Sequence, residues 1–451
     1  MNWKAGEHLL PIASGFVILT WVLSFPFYGS LAYNLLESRG VWGTHSFALG
    51  LAAGFFVSAM PKYIPFPSVV AAPAAAVLCW LAVMVPHPAL SAALMFICGL
   101  AASIPMLTWA GNLGGMEKPV APFITSLVLS SIWCAVTYLP WQNPRAHYLM
   151  AGIVSLLFIA APWGLKVKTP VKTDMPLPWP RLKPLLLFIV VTSWSGGLLH
   201  RAFMPALADW KGAAWLSFWP YIAALIPAGI LARRRYEPLA ALSLSTLGLA
   251  LLALAMENPA LNTAPKLAGL TGTLVGAAFA DAFIWLSLVY FVYRGFPGAL
   301  GFGLGVNVFV IWLVGLTADL LHLGSPVNLP LAALSGAALL FVILPMILPR
   351  LPLSSPGKPI NNRYIESKDD GNQPDLIAGQ ESGENFTAAE IRVLELLLEG
   401  KKNKEIAEEL FISLNTVKFH VRNILRKSKC SSRKELFKKL PENREDFLSS
   451  H

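Results

Sequence analysis

Long apolar stretches recur through the first 350 residues, and they restrict the possible folds more than any other feature of the chain. Most are close to the roughly 20 residues that an α-helix needs to cross the apolar core of a bilayer. Of the whole chain, 55% is hydrophobic and only 13% is charged, far from the composition of soluble domains. The stretches are Leu9–Leu36, Thr44–Met60, Ser68–Val85, Ala89–Gly111, Val120–Leu139, His147–Leu165, Pro184–Leu207, Ala213–Ala232, Leu239–Met256, Leu267–Tyr293, Ala299–Leu321 and Leu329–Leu348. They predict an all-α, polytopic membrane bundle of about 12 spans in residues 1–350.

The basic residues between the stretches predict how this bundle is oriented. With a cytoplasmic N-terminus, the inner connections carry twelve Lys and Arg, and the outer connections carry five. Cytoplasmic connections are enriched in these residues, so this orientation is favoured. An even number of spans then returns the C-terminus to the cytoplasm. We therefore expect a multi-pass protein of the cytoplasmic (inner) membrane with both termini inside.

The longest connection in this region, residues 166–183, is rich in Pro and Lys and divides the stretches six and six. Two halves of six spans with both ends inside are similar to the major facilitator transporter fold. Two departures from that family are visible. Pro61-Lys62-Tyr63 stands where the family has a basic loop motif, and Arg233 replaces the usual Asp in a fragment of the motif that begins at Gly229. Because the usual gating contacts are incomplete, the arrangement also fits a receptor.

Charged residues inside the apolar stretches are few, and intramembrane charges often mark functional sites. Asp281 lies near the middle of the tenth stretch, and Arg201 lies in the outer part of the seventh, beside His200. In the major facilitator fold, spans one, four, seven and ten line a central cavity. The resemblance therefore implies that Asp281 and Arg201 face each other or a small-molecule ligand. The cavity-wall residues that it implies are Trp21, Trp109, Asn112, Trp194 and Trp285.

A structural role for these residues is the alternative. A buried Asp and Arg often simply neutralise each other, and membrane Trp residues often anchor helices at the interface. His200 is then a packing residue.

The composition changes abruptly after Pro349. Residues 351–385 are rich in Ser, Pro, Gly, Asn and mixed charge, with few large apolar side chains. Such a segment lacks the apolar surface for a core, so it predicts a flexible linker to a C-terminal domain at residues 386–451. As a coil, about 35 residues span on the order of 30–35 Å.

Residues 386–440 carry the signals of four short helices. The predicted caps are Thr387 with Glu390, then Asn403, Ser413, and Ser432 with Glu435. Gly400 supplies a left-handed residue after the first helix. The residues expected to face inward are Ile391, Leu394, Leu397, Leu398, Ile406, Ala407, Leu410, Val417, Val421 and Ile424. Two helices joined this closely cross steeply, which predicts a helix-turn-helix domain.

The third helix, residues 414–427, has a second face without acidic residues, formed by Asn415, Lys418, Phe419, Arg422 and Arg426. In the DNA major groove, Lys and Arg reach guanine acceptors and neighbouring phosphates. Residues 386–440 hold thirteen Lys and Arg against seven Glu, a net charge of +6 that is typical of nucleic-acid binders. The pattern favours double-stranded DNA as partner. A face that is merely solvated is the alternative.

Three runs resemble the LuxR-type helix-turn-helix domain of bacterial transcription regulators: TAAEIRVLELLLEG, NKEIAEELFISLNTVKFHVRNILRK and SSRKEL. The resemblance implies that the third helix is the recognition helix. It implies base reading by Lys418, Phe419 and Arg422, and phosphate contacts near Asn415, Thr416 and His420. The fourth helix makes dimer contacts in this family. Ser428-Lys429-Cys430 departs from the family's Leu-Gly-Val step, which precedes that helix.

These features predict a membrane-embedded transcription regulator whose membrane domain senses a small molecule or membrane state. We expect it to act with RNA polymerase and as a homodimer through the C-terminal domain. A secondary transporter with a regulatory DNA-binding head is the main alternative, and a membrane domain that only anchors is a weaker one. No nucleophile elbow, phosphate loop, paired carboxylates or metal-type cysteine spacing occurs, so we expect no enzyme, cofactor or metal site.

Overall fold

The computed structural model describes residues 5–24, 36, 40–60, 67–116, 118–137, 144–165, 177–199, 218–233, 236–256, 263–323, 325, 328–347, 388–410, 414–428, 430 and 432–439. The chain divides into two compact units, Met1–Ile360 and Asn361–His451. We call them the membrane unit and the C-terminal unit. The predicted linker, residues 351–385, lies outside the described residues.

Each predicted apolar stretch overlaps one helix of the membrane unit. The helices are α1 (Ala5–Ser24), α2 (Gly40–Ser58), α3 (Ser68–Met84), α4 (Pro88–Gly114), α5 (Val120–Thr137), α6 (Pro144–Ala160), α7 (Trp179–Leu198), α8 (Trp219–Ala232), α9 (Glu237–Ala255), α10 (Thr263–Tyr293), α11 (Pro297–Leu320) and α12 (Asn328–Ile347). A 3-10 turn, Ala161–Gly164, follows α6. Within the described residues, six helices are long and apolar enough to cross a membrane, namely α4, α5, α6, α9, α10 and α11. Shorter apolar segments lie in α1, α3, α8 and α12.

The second six helices repeat the packing of the first six. Helix α1 packs on α5 and α6, as α7 packs on α11 and α12. Helix α4 packs on α2 and α3, as α10 packs on α8 and α9. Helix α3 also contacts α6, as α9 contacts α12. Parallel repeats of this kind occur in transporter folds, where ligand sites lie between the repeats.

The two halves meet along α2 and α11, along α5 and α8, and between α4 and α10. At the first of these contacts, the His45 Nε2 atom lies 2.9 Å from the Asp319 carboxylate. His45 is buried and Asp319 is about one-third exposed. Sequence patterns did not predict this pair, because its members are 274 residues apart in the chain.

The C-terminal unit contains four described helices, α13 (Ala388–Leu398), α14 (Asn403–Leu410), α15 (Leu414–Lys427) and α16 (Arg433–Lys439). They enclose one apolar core. Its buried members are Val393, Leu394, Leu396, Leu397, Ile406, Ala407, Val417, Ile424, Cys430 and Leu436. The other residues predicted to face inward, Ile391, Leu398, Leu410 and Val421, are partly buried against it. The predicted all-α fold class is confirmed.

The end of α13 follows the predicted glycine signal. Gly400 has a φ of 85°, a left-handed conformation that glycine adopts without steric strain because it has no Cβ. The Gly400 amide donates to the Leu397 carbonyl and the Lys401 amide to the Leu396 carbonyl, which is the Schellman pattern. The Arg433 guanidinium of α16 then donates to the carbonyls of Leu397 (3.1 Å) and Lys401 (2.8 Å). A long-range contact therefore completes a helix end that sequence alone predicted only in part.

Two of the predicted helix caps, Ser432 and Asn403, lie in the described residues, and the structure confirms the first of them. Ser432 Oγ accepts from the Glu435 amide at 3.3 Å, as predicted for α16. For α14 the cap is one residue earlier than predicted, because Asn403 is the first helical residue and the Lys402 amide donates to Glu405 at 2.7 Å. The predicted caps Thr387 and Ser413 lie outside the described residues.

The end of α15 shows how the Ser428-Lys429-Cys430 departure is accommodated. The Cys430 amide donates to the Leu425 carbonyl at 2.9 Å, and the Cys430 side chain is buried in the core. The thiol thus takes an apolar position, as free cysteines often do.

Candidate functional site

The outward face of α15 presents the predicted DNA-contacting side chains. Lys418, Phe419, Arg422 and Arg426 are exposed. At about 100° per residue, Phe419, Arg422 and Arg426 fall within about 60° of one another and about 140–180° from the buried Val417 and Ile424.

The structure does not describe the side chains of every predicted DNA-contacting residue. The Asn415 and Thr416 side chains are not among the described side chains, although both residues belong to α15. His420 is partly buried, and its ring lies edge-on to Phe419 with centroids 5.8 Å apart. The structure therefore brings four of the predicted residues together on one exposed face and places His420 at its side.

A buried ion pair fixes α15 against α13. The Lys427 ammonium donates to the Glu390 carboxylate at 2.8 Å, and the two side chains are 13% and 4% exposed. Glu390 lies in the first turn of α13 and Lys427 in the last turn of α15. Each charge therefore also complements the dipole of its own helix. The sequence had suggested Glu390 only as part of a capping box, since a contact across 37 residues leaves no local pattern.

Lys401, which precedes α14, pairs with carboxylates, and in this it differs from the exposed cations of α15. Lys401 pairs with Glu399 (2.8 Å) and Glu409 (2.7 Å). Partial burial lowers the pKa of Lys401, but the hydrogen bonds to these two carboxylates outweigh burial and raise it. Among the described residues, no carboxylate lies within ion-pair distance of Lys418, Arg422 or Arg426. All three side chains are exposed, so an external anion can reach them.

In the membrane unit, Asp281 has a partner that the sequence did not predict. The Tyr221 hydroxyl of α8 donates to the Asp281 carboxylate of α10 at 2.7 Å. Arg201, the predicted partner, lies outside the described residues, so that pairing stays a prediction. His200 also lies outside them.

The predicted wall residues Trp109 and Trp285 come together between the two halves. Their ring centroids are 5.9 Å apart, and Phe123 of α5 lies 5.9 Å from Trp285 and 6.2 Å from Trp109. The Trp109 indole N–H donates to the Pro11 carbonyl of α1 at 2.9 Å. Gly15 permits this approach, because a Cβ there would overlap the indole ring. Trp109 is fully buried and Trp285 is 9% exposed, so the cluster is tightly packed.

The other predicted wall residues lie elsewhere. Trp21 is fully buried, stacks on Phe158 at 4.1 Å and donates to Ser155 at 3.1 Å, within the first half. The Asn112 amide donates to the Thr108 carbonyl of its own helix at 2.7 Å. Trp194 lines a cavity of about 300 Å³ together with residues of α12. In the described part of the chain, no cluster of three or more His, Cys, Asp or Glu side chains is arranged to hold a metal ion.

Comparison with known proteins identifies the C-terminal unit. The family described as "GerE: Bacterial regulatory proteins, luxR family" matches residues 384–440. The C-terminal part of this chain is a LuxR-type helix-turn-helix domain. It is 54% identical over 50 residues to the transcriptional regulatory protein LiaR of Bacillus subtilis, a match that covers 11% of this chain and 24% of LiaR. It is 39% identical over 74 residues to the nitrate/nitrite response regulator protein homolog of Haemophilus influenzae, covering 16% and 31%.

The LuxR-type match is confined to this domain. The chain spans only about a quarter to a third of the length of these curated relatives. They therefore describe the C-terminal unit and not the membrane unit.

Solved structures resemble the membrane unit in fold. A mutant of the nucleoside transporter NupG aligns with a TM-score of 0.51 at 15% identity, covering 76% of this chain and 99% of that one. A bacterial homologue of the iron transporter ferroportin in an outward-facing state aligns with a TM-score of 0.55 at 12% identity, covering 78% and 99%. At this identity the likeness concerns the fold alone. It confirms the expected transporter-like architecture, and with the apolar helices it identifies a membrane protein.

Because the Glu390–Lys427 pair is buried, we expect Lys427 to contribute more to the stability of the LuxR-type domain than Lys401 does. Lys427→Ala takes this cation away from the buried Glu390 carboxylate, and we expect the free energy of local unfolding of α13 and α15 to fall by about 3–5 kcal/mol. Lys401→Ala removes two ion pairs of similar length whose side chains are 30–53% exposed, and should cost below about 1 kcal/mol. Hydrogen exchange of the full-length protein in nanodiscs measures both. Equal effects of the two substitutions would contradict the structural role of the buried pair.

Proposed function

We propose that this protein is a membrane-embedded transcription regulator whose LuxR-type domain binds double-stranded DNA in the cytoplasm. The observation that carries the proposal is the exposed cationic face of α15, held outward on a LuxR-type fold in the same chain as a transporter-like membrane unit. The curated relatives are named as transcriptional and response regulators.

The exposed face of α15 suggests how DNA is contacted. Lys418 and Arg422 donate to base-edge acceptors in the major groove, where Arg and Lys pair most often with guanine O6 and N7. Phe419 lies on the same face, about 20° around the helix from Arg426. Arg426, together with Asn415, Thr416 and His420, contacts phosphates and fixes the register of the helix on the duplex.

The proposed arrangement in the cell has three parts. Residues 1–350 form the membrane domain in the inner membrane, residues 351–385 form a flexible linker, and residues 386–451 form the DNA-binding domain. The excess of Lys and Arg in the inner connections supports cytoplasmic termini. Pairing through the DNA-binding domain gives a homodimer that acts with RNA polymerase.

The membrane domain senses a small molecule or membrane state in this proposal. Asp281 and Arg201 supply its polar contacts, and Trp109 and Trp285, which pack together at the junction of the two halves, supply apolar ones. A ligand changes transcription only if it prefers one conformation of the membrane domain and that conformation alters pairing of the DNA-binding domains. A flexible linker transmits no rigid motion, so a change in dimerisation is the route that we propose.

A second candidate is a secondary transporter that carries a regulatory DNA-binding domain. The likeness of the membrane unit to a nucleoside transporter and to a ferroportin homologue supports it. The absent loop motif at Pro61-Lys62-Tyr63 favours the sensor instead.

Sequence-selective DNA binding should depend on two cations of α15. We expect Lys418→Ala with Arg422→Ala to abolish selection of a specific duplex by the full-length protein in nanodiscs. The slope of log affinity against log salt should be largely retained, because the proposed phosphate contacts, including Arg426, remain in the double variant. Lys402→Ala, an exposed lysine before α14, is the matched control and should leave selectivity unchanged. Undiminished selectivity in the double variant would contradict the assignment of α15 as the recognition helix.

Reconstituted protein separates the sensor from the transporter. A sensor gives no net uptake of labelled nucleosides or iron into proteoliposomes. A transporter gives uptake of one of them, which falls in Asp281→Asn and less in Tyr221→Phe, since the latter removes only the hydroxyl that donates to Asp281. Uptake that is equal in the wild type and in Asp281→Asn would exclude this carboxylate from the transport site.

A further inference from the structure

Phe419 is chemically unlike its neighbours on the exposed face of α15. Its ring is 55% exposed, while the residues beside it are the cations Lys418, Arg422 and Arg426. The ring points away from the core of its own domain, because Phe419 lies about 140–160° around the helix from Val417 and Ile424. It therefore contributes nothing to the packing of that core.

A second exposed phenylalanine of this domain, Phe437, differs from Phe419 because a cation of the same domain covers its ring. Phe437 of α16 is 39% exposed, but the Arg433 guanidinium covers its ring at 5.3 Å from the centroid. Among the described residues, the Phe419 ring meets the His420 ring edge-on, with the two centroids 5.8 Å apart. The exposed Phe419 side chain lies on the same outward side of α15 as the exposed cations Lys418, Arg422 and Arg426.

We propose that Phe419 is a specificity-determining residue that packs against the C5-methyl group of thymine in the major groove. This inference rests on the proposed DNA-binding function and names one base that the site selects. In the major groove the thymine methyl is the apolar group that base edges present, and Phe is among the side chains that contact it. Lys418 and Arg422 are polar donors suited to guanine, so the target combines guanines with thymines on the surface that α15 covers.

A contact between Phe419 and a thymine methyl group would add sequence discrimination to the affinity that the cations of α15 supply. Cations that meet phosphates supply affinity and little discrimination between sequences. Burying the Phe419 ring against a methyl group removes apolar surface of both partners from water, and this gain exists only where a thymine is present. Cytosine at the same position offers an amino group and no methyl, so the ring loses its partner there.

Deoxyuridine tests the contact without altering the protein, since it removes the thymine methyl and keeps base pairing. The full-length protein in nanodiscs first selects a duplex from a random library, and each thymine of that duplex is then replaced singly by deoxyuridine. At one or two positions the wild type should bind about four-fold more weakly, the loss expected for one buried methyl group. Fluorescence anisotropy measures the dissociation constants.

Two variants complete the experiment. Phe419→Ala should bind the thymine and deoxyuridine duplexes equally at those positions, whereas the matched control Phe437→Ala should keep the four-fold loss. Equal wild-type binding at every replaced thymine, or an undiminished loss in Phe419→Ala, would overturn the inference while leaving DNA binding intact. Failure of the wild type to select any duplex would instead refute the proposed function, and the inference with it.

Discussion

The buried ion pair between Glu390 and Lys427 is the contact on which the presentation of α15 depends. Helix α15 buries Val417 and Ile424 on one side, but an apolar core alone tolerates rotation and sliding of a short helix. The ion pair adds a directional contact at the C-terminal end, where the helix dipole also favours a cation. Removing either partner leaves a desolvated charge, which makes other placements of the helix costly. The exposed cations of α15 are consequently held on one outward face.

The membrane unit is organised on a different principle, the repetition of one six-helix packing pattern. Helices α1–α6 and α7–α12 make equivalent contacts, and the halves meet along α2 with α11 and α5 with α8. Polar contacts join helices at these junctions, with His45 and Asp319 on one side and Tyr221 and Asp281 near the other. The packed aromatic cluster of Trp109, Phe123 and Trp285 also joins the two halves. A sensor requires two conformations of comparable free energy, and in folds built of two similar halves such a change occurs as movement of one half against the other.

Local patterns in the sequence predicted the helices but not the contacts that orient them. Apolar stretches located the twelve helices that the structure describes in the membrane unit, and Gly400 and Ser432 marked helix ends correctly, because each of these signals acts within a few residues. The exposed face of α15 was predictable for the same reason. The pairs Glu390–Lys427 and His45–Asp319 join residues 37 and 274 positions apart, and the caps that Arg433 provides cross 36 and 32 positions. Asp281 was predicted as a site residue, yet its partner Tyr221 depends on how α8 packs on α10, which no periodicity encodes.

The central claim is that a chain lodged in the membrane binds the chromosome through its C-terminal domain. Chromatin immunoprecipitation with sequencing tests it most directly, with the full-length tagged protein compared with a chain that ends before residue 386. The account predicts enrichment of discrete promoter regions with the full-length protein and loss of every such region with the truncated chain, while both remain in the membrane fraction. Equal enrichment from the two chains, or a full-length protein whose residues near position 400 are accessible from outside the cell, would contradict it.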